Sequence, residues 1–279
     1  MPGQEKVDVK SFEEEVSSFS SEKKCVQRGR GVLANSAEGD CFFGVPPSKS
    51  HHRDAFVDLP DDARGFHFYL GADGSRMVDA FAKSRWAERA RYISIGNTSH
   101  YLFDGVDYRE AIRSLGAGSY PDLEVAELGV WRLFSNSHCM MGQLGCLNDF
   151  LAAAPSLEVL RLFGSFQLKK RFSLPRLRKL CVQQEDPVTG SSGEAIANST
   201  VVNILDSDLP SLEDAYIDLE RDGDQIFYEF PDRFVEGKSF SSLSKLTVYG
   251  SFLEGEYSRL KCGKMGDLLV DRLYPDSGF

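Results

Sequence analysis

Residues 155–162 read Pro155-Ser156-Leu157-Glu158-Val159-Leu160-Arg161-Leu162, and the pattern of this stretch recurs along the chain. Four further copies begin at Pro121, Pro175, Pro210 and Ser241, and all five share the skeleton Leu-x-x-Leu/Ala-x-Leu/Val/Ile. Two apolar residues at alternate positions predict a short strand with one buried face, and the leucine three residues earlier turns the chain into that strand. The proline suits the turn because it fixes φ and donates no hydrogen bond. The sequence therefore predicts a series of turn-strand units.

Two weaker copies extend the series towards the amino terminus, so that seven registers begin at residues 63, 90, 123, 157, 177, 212 and 243. The segments between the strands carry helical signals. Residues 75–89 place apolar side chains on one helical face, and capping boxes are predicted at Ser11 with Glu14 and at Asp107 with Glu110. A unit of helix, turn, strand and return loop is one coil of a solenoid.

The units resemble leucine-rich repeats of the helix-bearing, ribonuclease-inhibitor-like kind. The phrase Asp208-Leu209-Pro210-Ser211-Leu212-Glu213 resembles uncharacterised bacterial cytoplasmic leucine-rich-repeat proteins, and the resemblance covers residues 63–250. It implies an α/β solenoid of about seven irregular repeats, with a parallel β-sheet on the concave face and helices on the convex face. The chain departs from the family pattern where Gly164, Gln184 and Gly250 replace the asparagine that follows the strand, which puts the regularity of the turns in question.

The resemblance also predicts three regions of the chain. Residues 1–62 are expected to form an N-terminal cap with an irregular lead-in, because residues 28–62 are rich in Gly, Pro, Ser and charge. The solenoid itself takes residues 63–250, and residues 251–279 form a C-terminal cap.

Composition excludes several classes of function. A formal net charge of −10 and a pI near 5.1 argue against binding to nucleic acid or to an anionic membrane, since both need a cationic surface. No apolar run reaches the roughly 18 residues that a membrane span needs, and the polar first ten residues are unlike a signal peptide. The six scattered cysteines favour reduced thiols. We therefore expect a cytoplasmic protein, and a monomer.

If the leucines face the core, the alternate strand residues form three rows on the other face of the sheet. The central row is predicted to contain His67, Ser94, Glu127, Arg161, Cys181, Tyr216 and Thr247. One flanking row is predicted to contain Gly65, Tyr92, Val125, Val159, Lys179, Asp214 and Lys245. The other is predicted to contain Tyr69, Gly96, Gly129, Phe163, Gln183, Asp218 and Tyr249.

This mixture of aromatic and charged residues is typical of protein interfaces. We therefore predict a non-catalytic module, an inhibitor or a scaffold, that binds another protein on the concave sheet and return loops. The predicted contact residues are Tyr69, Tyr92, Glu127, Arg161, Phe163, Lys179, Tyr216, Asp218, Lys245 and Tyr249. A simpler interpretation is that aromatic residues on a sheet cover their neighbours.

The negative charge of the later repeats predicts the charge of the partner. An acidic run would attract a basic protein surface; it comprises Asp206, Asp208, Glu213, Asp214, Asp218, Glu220, Asp222 and Asp224.

The alternative is a calcium-binding or metal-regulated protein. Residues 218–229 place oxygen-bearing side chains at positions 1, 3, 5 and 7 of a twelve-residue loop, glycine at position 6 and glutamate at position 12. Glu220 at position 3 is long for such a site, Gln225 stands where an aliphatic residue is usual, and Asp222-Gly223 also suits a hairpin turn. Cys25, Cys41, His51 and His52, and separately His138, Cys139 and Cys146, have poor spacing for zinc. The sequence carries no nucleophile elbow and no phosphate-binding loop, so neither an enzyme nor a cofactor is expected.

Overall fold

The computed structural model describes residues 11–21, 25–28, 39–44, 59–69, 75–96, 106–130, 142–184, 195–219 and 226–268. Its strands are β1 (Cys25–Arg28), β2 (Cys41–Gly44), β3 (Gly65–Tyr69), β4 (Tyr92–Gly96), β5 (Val106–Asp107), β6 (Val125–Val130), β7 (Gly142–Cys146), β8 (Val159–Gln167), β9 (Lys179–Gln183), β10 (Asp214–Asp218) and β11 (Lys245–Tyr249). Its helices are α1 (Phe12–Ser21), α2 (Ser75–Ala82), α3 (Arg85–Arg89), α4 (Arg109–Gly116), α5 (Asn148–Ala153), α6 (Asn198–Leu205), α7 (Asp232–Val235) and α8 (Glu256–Cys262), followed by a 3₁₀ turn at Gly266–Leu268.

The sheet runs in the order β1-β2-β3-β4-β6-β8-β9-β10-β11. Strand β1 is antiparallel to β2, and all later neighbours on this path are parallel. Strand β7 pairs with the far end of β8, and β5 pairs with β7. Within the described residues β1 and β11 each have one strand neighbour, so the sheet is open and does not close into a barrel. The chain is an α/β protein with a repeat-like parallel sheet.

A tight turn leads into each strand that carries the sequence pattern. In all seven units the amide of the first pattern residue donates to the carbonyl three residues earlier; the donors are Ala63, Ala90, Leu123, Leu157, Leu177, Leu212 and Leu243. Every one of these residues is buried. The seven predicted registers are therefore confirmed.

A backbone ladder joins the units at the turn side of the sheet. The carbonyl oxygen of Arg91 accepts from the amides of Glu124 (2.9 Å) and Val125 (3.0 Å), and the carbonyl of Glu124 accepts in the same way from Glu158 and Val159. Equivalent double bonds are made at the carbonyls of Arg64, Glu158, Arg178 and Glu213. Main-chain amides and carbonyls need hydrogen-bond partners, and this ladder pairs them between neighbouring units.

At the end of β9, Gln184 stands where the family pattern has an asparagine, and its side chain makes a hydrogen bond to the backbone there. It is buried, and its Oε1 atom accepts from the amide of Ile196 (3.0 Å). The hydroxyl of Tyr228 donates to the carbonyl of Ile196 (3.0 Å), so this polar contact fixes two return segments together.

The core lies between the sheet and the helices. Alternate strand residues such as Leu160 and Leu162 are buried in one continuous cluster with helix residues such as Phe81, Ile112 and Phe150. Burying one such side chain contributes about 1.5–3 kcal/mol. The helices therefore cover one face of the sheet, and the other face is left to the alternate residues.

Helix boundaries differ from expectation in two places. Residues 75–89 form two helices rather than one, because the Ser84 hydroxyl accepts from the amide of Trp86 (3.2 Å) and caps α3. Helix α4 begins at Arg109 without a side-chain cap, and Asp107 instead accepts from the backbone and guanidinium of Arg109. The Ser11–Glu14 capping box is confirmed, with amide contacts of 2.9 Å and 3.2 Å.

The predicted irregular lead-in contains two strands. Strand β2 pairs in parallel with β3, and β1 pairs with β2, so the sheet begins before residue 63. Cys41, Phe42 and Phe43 are buried, and a short apolar run of this kind is enough for one strand. The interpretation of residues 41–44 as coil was wrong.

Strand β6 contains a bulge that shifts one predicted row. Ile95 pairs with Leu128, but Gly96 pairs with Val130, and Gly129 between them has φ of +81°. The expected pairing of Gly96 with Gly129 was therefore wrong by one residue. The other pairings of the three rows are confirmed from β3 to β4 and from β8 to β11.

Candidate functional site

The candidate site lies on the face of the sheet that points away from the leucine core. We call this face of the sheet the polar face. Its central row follows the register His67, Ser94, Glu127, Arg161, Cys181, Tyr216 and Thr247, as predicted. The two halves of this row differ in exposure. Its residues on β3 to β6 are buried, whereas Arg161, Cys181 and Tyr216 on β8 to β10 are partly exposed; Thr247 on β11 is buried.

The buried half contains a polar chain around His67. His67 Nδ1 lies 2.7 Å from the Ser94 hydroxyl, and His67 Nε2 lies 3.3 Å from the Asp40 carboxylate. The Tyr69 hydroxyl lies 3.2 Å from the same Ser94 oxygen. Burial lowers the pKa of His67 despite the opposing effect of Asp40, so the imidazole is neutral in the folded chain.

Tyr69 and Tyr92 were predicted as surface anchors, and the structure corrects both. Tyr69 is 0% exposed and Tyr92 is 8% exposed. The ring of His67 lies 4.7 Å from that of Tyr92 and is stacked 4.3 Å from that of Phe42. Aromatic rings on neighbouring strands contact each other in this way and lose their exposed surface.

Asp40, His67 and Ser94 have the connectivity of an acid-base-nucleophile triad. However, His67 and Ser94 are both 0% exposed, so an acyl group has no path to the Ser94 hydroxyl in this conformation. The chain of contacts instead satisfies polar groups that burial would otherwise leave without partners. Asp40 and Phe42 were absent from the predicted site because they precede the first recognised repeat.

Glu127 and Arg161 form the boundary between the two halves. Glu127 is 6% exposed and accepts from Arg161 Nη1 and from the Tyr92 hydroxyl. Burial and the neighbouring Glu127 raise the pKa of Tyr92, so its hydroxyl remains a donor. The Arg161 side chain is 32% exposed. Arg161 and Glu127 thus form an ion pair between neighbouring strands, and Glu127, predicted as a contact residue, is a buried support for Arg161.

The exposed half occupies β8 to β11. Lys179 and Lys245 are exposed, and the half-buried side chains of this area include Phe163, Cys181, Gln183, Asp214, Tyr216, Asp218 and Tyr249. We call these residues, together with Arg161, the open patch. Phe227 and Leu253, which are 49% and 40% exposed, lie in the adjoining return segments near the same end of the sheet.

Contacts within the open patch hold its side chains in place. The rings of Tyr216 and Tyr249 meet edge-to-face at 5.9 Å, and the Tyr216 hydroxyl donates to Asp218 (3.1 Å). Lys245 pairs with Asp214 at 3.3 Å. Burial raises the pKa of the Cys181 thiol to about 11, so this cysteine is a neutral thiol and a poor nucleophile at neutral pH.

Much of the predicted acidic run is engaged within the chain. Asp206 lies 3.6 Å from Arg171 and 3.8 Å from Arg233, and Glu213 makes two 3.0 Å contacts with Arg178. Asp214 pairs with Lys245. These pairs reduce the negative charge that the run can offer to a basic partner.

The predicted calcium loop falls largely on residues 220–225, which lie outside the described residues, so this alternative stays a prediction. Among the described residues that follow it, 226–228 do not pair with β10, since both edges of β10 are occupied by β9 and β11; Tyr228 instead forms a parallel bridge with Phe252. Among the described residues no group of three or more His, Cys, Asp or Glu side chains could hold a metal ion. His51, His52, His138 and Cys139 lie outside the described part of the chain.

Across the described ranges, no helix combines the length and the apolar character that crossing a bilayer requires.

Comparisons with protein-family models and with curated protein sequences return no match. Among solved structures, a crystal structure of a structural-genomics target from Bacteroides fragilis aligns with a TM-score of 0.49 and 18% sequence identity. The alignment covers 74% of this chain, and this chain spans 58% of the length of that protein.

Proposed function

We propose that this chain is a non-catalytic interaction module, built as a leucine-rich-repeat-like solenoid, that binds another protein through the open patch. Residues 1–62 and 251–279 would serve as its end caps, and the module would act as a monomer in the cytoplasm. The seven turn-strand registers and the backbone ladder support the repeat interpretation. Parallel strands of this kind display their alternate residues as a continuous surface.

The observation that carries the proposal is the partial exposure of Phe163 on β8, Tyr216 on β10 and Tyr249 on β11, all on the same face of the sheet. Tyrosine and phenylalanine bury large areas on binding at a low cost in side-chain entropy, and such residues dominate interface energetics. Tyr216 is held by Tyr249 and Asp218, so little further ordering is needed when a partner binds.

The area of the open patch limits the size of the interface that this patch can form by itself. Strands lie about 4.8 Å apart, so the four rungs from β8 to β11 span roughly 15 Å. A stable interface buries about 800 Å² on each partner, which is more than such an area provides. The return segments with Phe227 and Leu253 would therefore belong to the same interface.

A photo-crosslinking residue at Gln183, which lies between Phe163 and Asp218 in the register of the sheet, tests the proposal. We expect it to trap a specific partner in native extract, and purified partner to lose at least tenfold in affinity for the Tyr216→Ala variant. Tyr257→Ala is the matched control, because Tyr257 is a half-buried tyrosine on α8, outside the open patch. Equal affinity of both variants for every trapped partner would refute the proposed surface.

A further inference from the structure

The charges of the open patch define the chemistry of the segment that it receives. This inference rests on the proposed function and concerns the same surface. We propose that the contacting segment of the partner is acidic, with an aspartate or glutamate side chain placed at Lys179 and Arg161 beside an apolar or aromatic residue. The acidic run in the sequence predicts the opposite, a basic partner.

The carboxylates of the open patch already have donors. Asp214 pairs with Lys245 at 3.3 Å, and Asp218 accepts from the Tyr216 hydroxyl at 3.1 Å. Glu127, below the patch, accepts from both Arg161 and Tyr92. A basic partner would have to compete with these internal donors for each carboxylate.

Lys179, unlike these carboxylates, has no oppositely charged partner among the described residues. It is exposed on β9, between Val159 and Asp214 in the register of the sheet, and within the described residues its ammonium group makes no ion pair at 4.0 Å or less. Its charge is therefore available to a carboxylate from outside the chain.

Arg161 adds a second and more rigid donor. Only its Nη1 atom is bound to Glu127, whereas a guanidinium group has five N–H donors arranged for two parallel bonds to a carboxylate. Because Glu127 is buried and tied to Tyr92, the guanidinium is held in place before any partner arrives. Such preorganisation reduces the entropy cost of binding.

Lys179 and Arg161 lie on adjacent strands and next to an aromatic surface. Arg161 pairs in register with Cys181, two residues from Lys179, and Phe163 and Tyr216 occupy neighbouring positions. A carboxylate between the two cations would place the adjoining residues of an extended segment over Phe163 or Tyr216. The recognised motif is therefore an acidic residue flanked by an apolar one.

The net charge of −10 does not oppose this local recognition at physiological salt. The Debye length is about 8 Å at 0.15 M ionic strength, so distant carboxylates are largely screened while contacts within a few ångströms are not. The overall charge instead slows association with an acidic partner at low salt, because steering at long range is unfavourable.

Selection from a random linear peptide library displayed on phage tests the inference on the whole chain. We expect enriched peptides to carry Asp or Glu beside an aromatic or aliphatic residue. Their synthetic forms should bind the wild type and lose about tenfold or more in affinity with Lys179→Glu. An acidic-to-lysine change in the peptide should restore binding to that variant. Lys83→Glu is the matched control, because Lys83 is also exposed but follows α2 on the helical side.

Two other outcomes separate this inference from the proposed function. Peptides that lose affinity with Tyr216→Ala but are basic, or do not respond to Lys179→Glu, would overturn the acidic partner and leave the open patch as the binding surface. Peptides that respond to neither variant, or no enrichment at all, would count against both.

Discussion

At the scale of single residues, His67 is a buried group whose protonation should affect stability. Its ring lies between Asp40 and Ser94 and is stacked on Phe42 at 4.3 Å. Burial lowers its pKa from the ordinary value of 6.5. The other four histidines of the chain, at positions 51, 52, 100 and 138, lie outside the described residues.

The lowered pKa of His67 predicts a loss of stability in mild acid. Above pH 6.5 the imidazole is neutral in both the folded and the unfolded chain, so it adds no pH dependence. Below pH 6.5 the unfolded chain binds a proton that the folded chain does not, and the free energy of unfolding falls as pH decreases towards the folded-state pKa. The slope contributed by one such histidine approaches about 1.4 kcal/mol per pH unit.

Urea denaturation at pH 7.5, 6.5 and 5.5 measures this slope. We expect His67→Gln to be less stable than the wild type at pH 7.5 and to show a flatter decline between pH 6.5 and 5.5. The carboxylates with lowered pKa values, such as Asp107 and Glu213, titrate below this window and leave it unaffected. An identical slope in the two proteins would show that His67 is not the group responsible.

At the scale of the elements, the bulge of β6 depends on Gly129. Its φ of +81° belongs to the left-handed region, and a Cβ atom built at this position would lie 2.0 Å from the carbonyl oxygen of Phe163 on β8. An alanine would therefore have to separate two adjacent strands as well as adopt a strained conformation.

We expect Gly129→Ala to lower the free energy of unfolding by about 3 kcal/mol or more, measured by urea denaturation. Gly255→Ala is the control for backbone strain alone, because Gly255 has φ of +84° and a Cβ atom there would have no neighbour within 4 Å. It should cost about 1–2 kcal/mol. If the two variants were equally stable, the close approach of β6 to β8 would not constrain residue 129.

The strands themselves were predictable because their signal is local. A leucine or alanine followed by two apolar residues at alternate positions is present in each unit, and Leu157, Leu160 and Leu162 show the correspondence with burial. The bulge was not predictable, since Gly129 fits a regular strand equally well until the neighbouring backbone is known. Strand β2 was missed because one short apolar run beside Asp40 does not repeat.

The face of the sheet on which each candidate side chain lies was predictable, but the exposure of that side chain was not. Alternation assigns Tyr69 and Tyr216 to the same face, yet Tyr69 is buried and Tyr216 is half-buried. That difference depends on tertiary packing, which periodicity does not encode. The same limit explains why Glu127 was predicted as a contact residue and is instead a support for Arg161.

At the scale of the whole molecule, most strands lie in a single row, in which each strand pairs with the strand before it and the strand after it. Each strand of the path pairs with its immediate neighbours on it, and β8 also pairs with β7, which lies off the path with β5. We expect the stability of such a stack to be the sum of its units and their nearest-neighbour contacts, so that local unfolding at one end need not open the other. A cavity in β11 should therefore have a different effect from the same cavity in β8.

Native-state hydrogen exchange of Leu246→Ala and Leu160→Ala tests this expectation. Both leucines are fully buried, and each substitution should cost about 2–5 kcal/mol locally. Leu246→Ala should speed amide exchange in β10 and β11 and leave β3 and β4 at the wild-type rate, because several rungs separate them. Leu160→Ala should speed exchange on both sides of β8, since β6 and β9 both pack against it. A uniform increase across β3 to β11 in both variants would instead mean that the stack opens as one cooperative unit, and that the open patch cannot rearrange without unfolding the buried half.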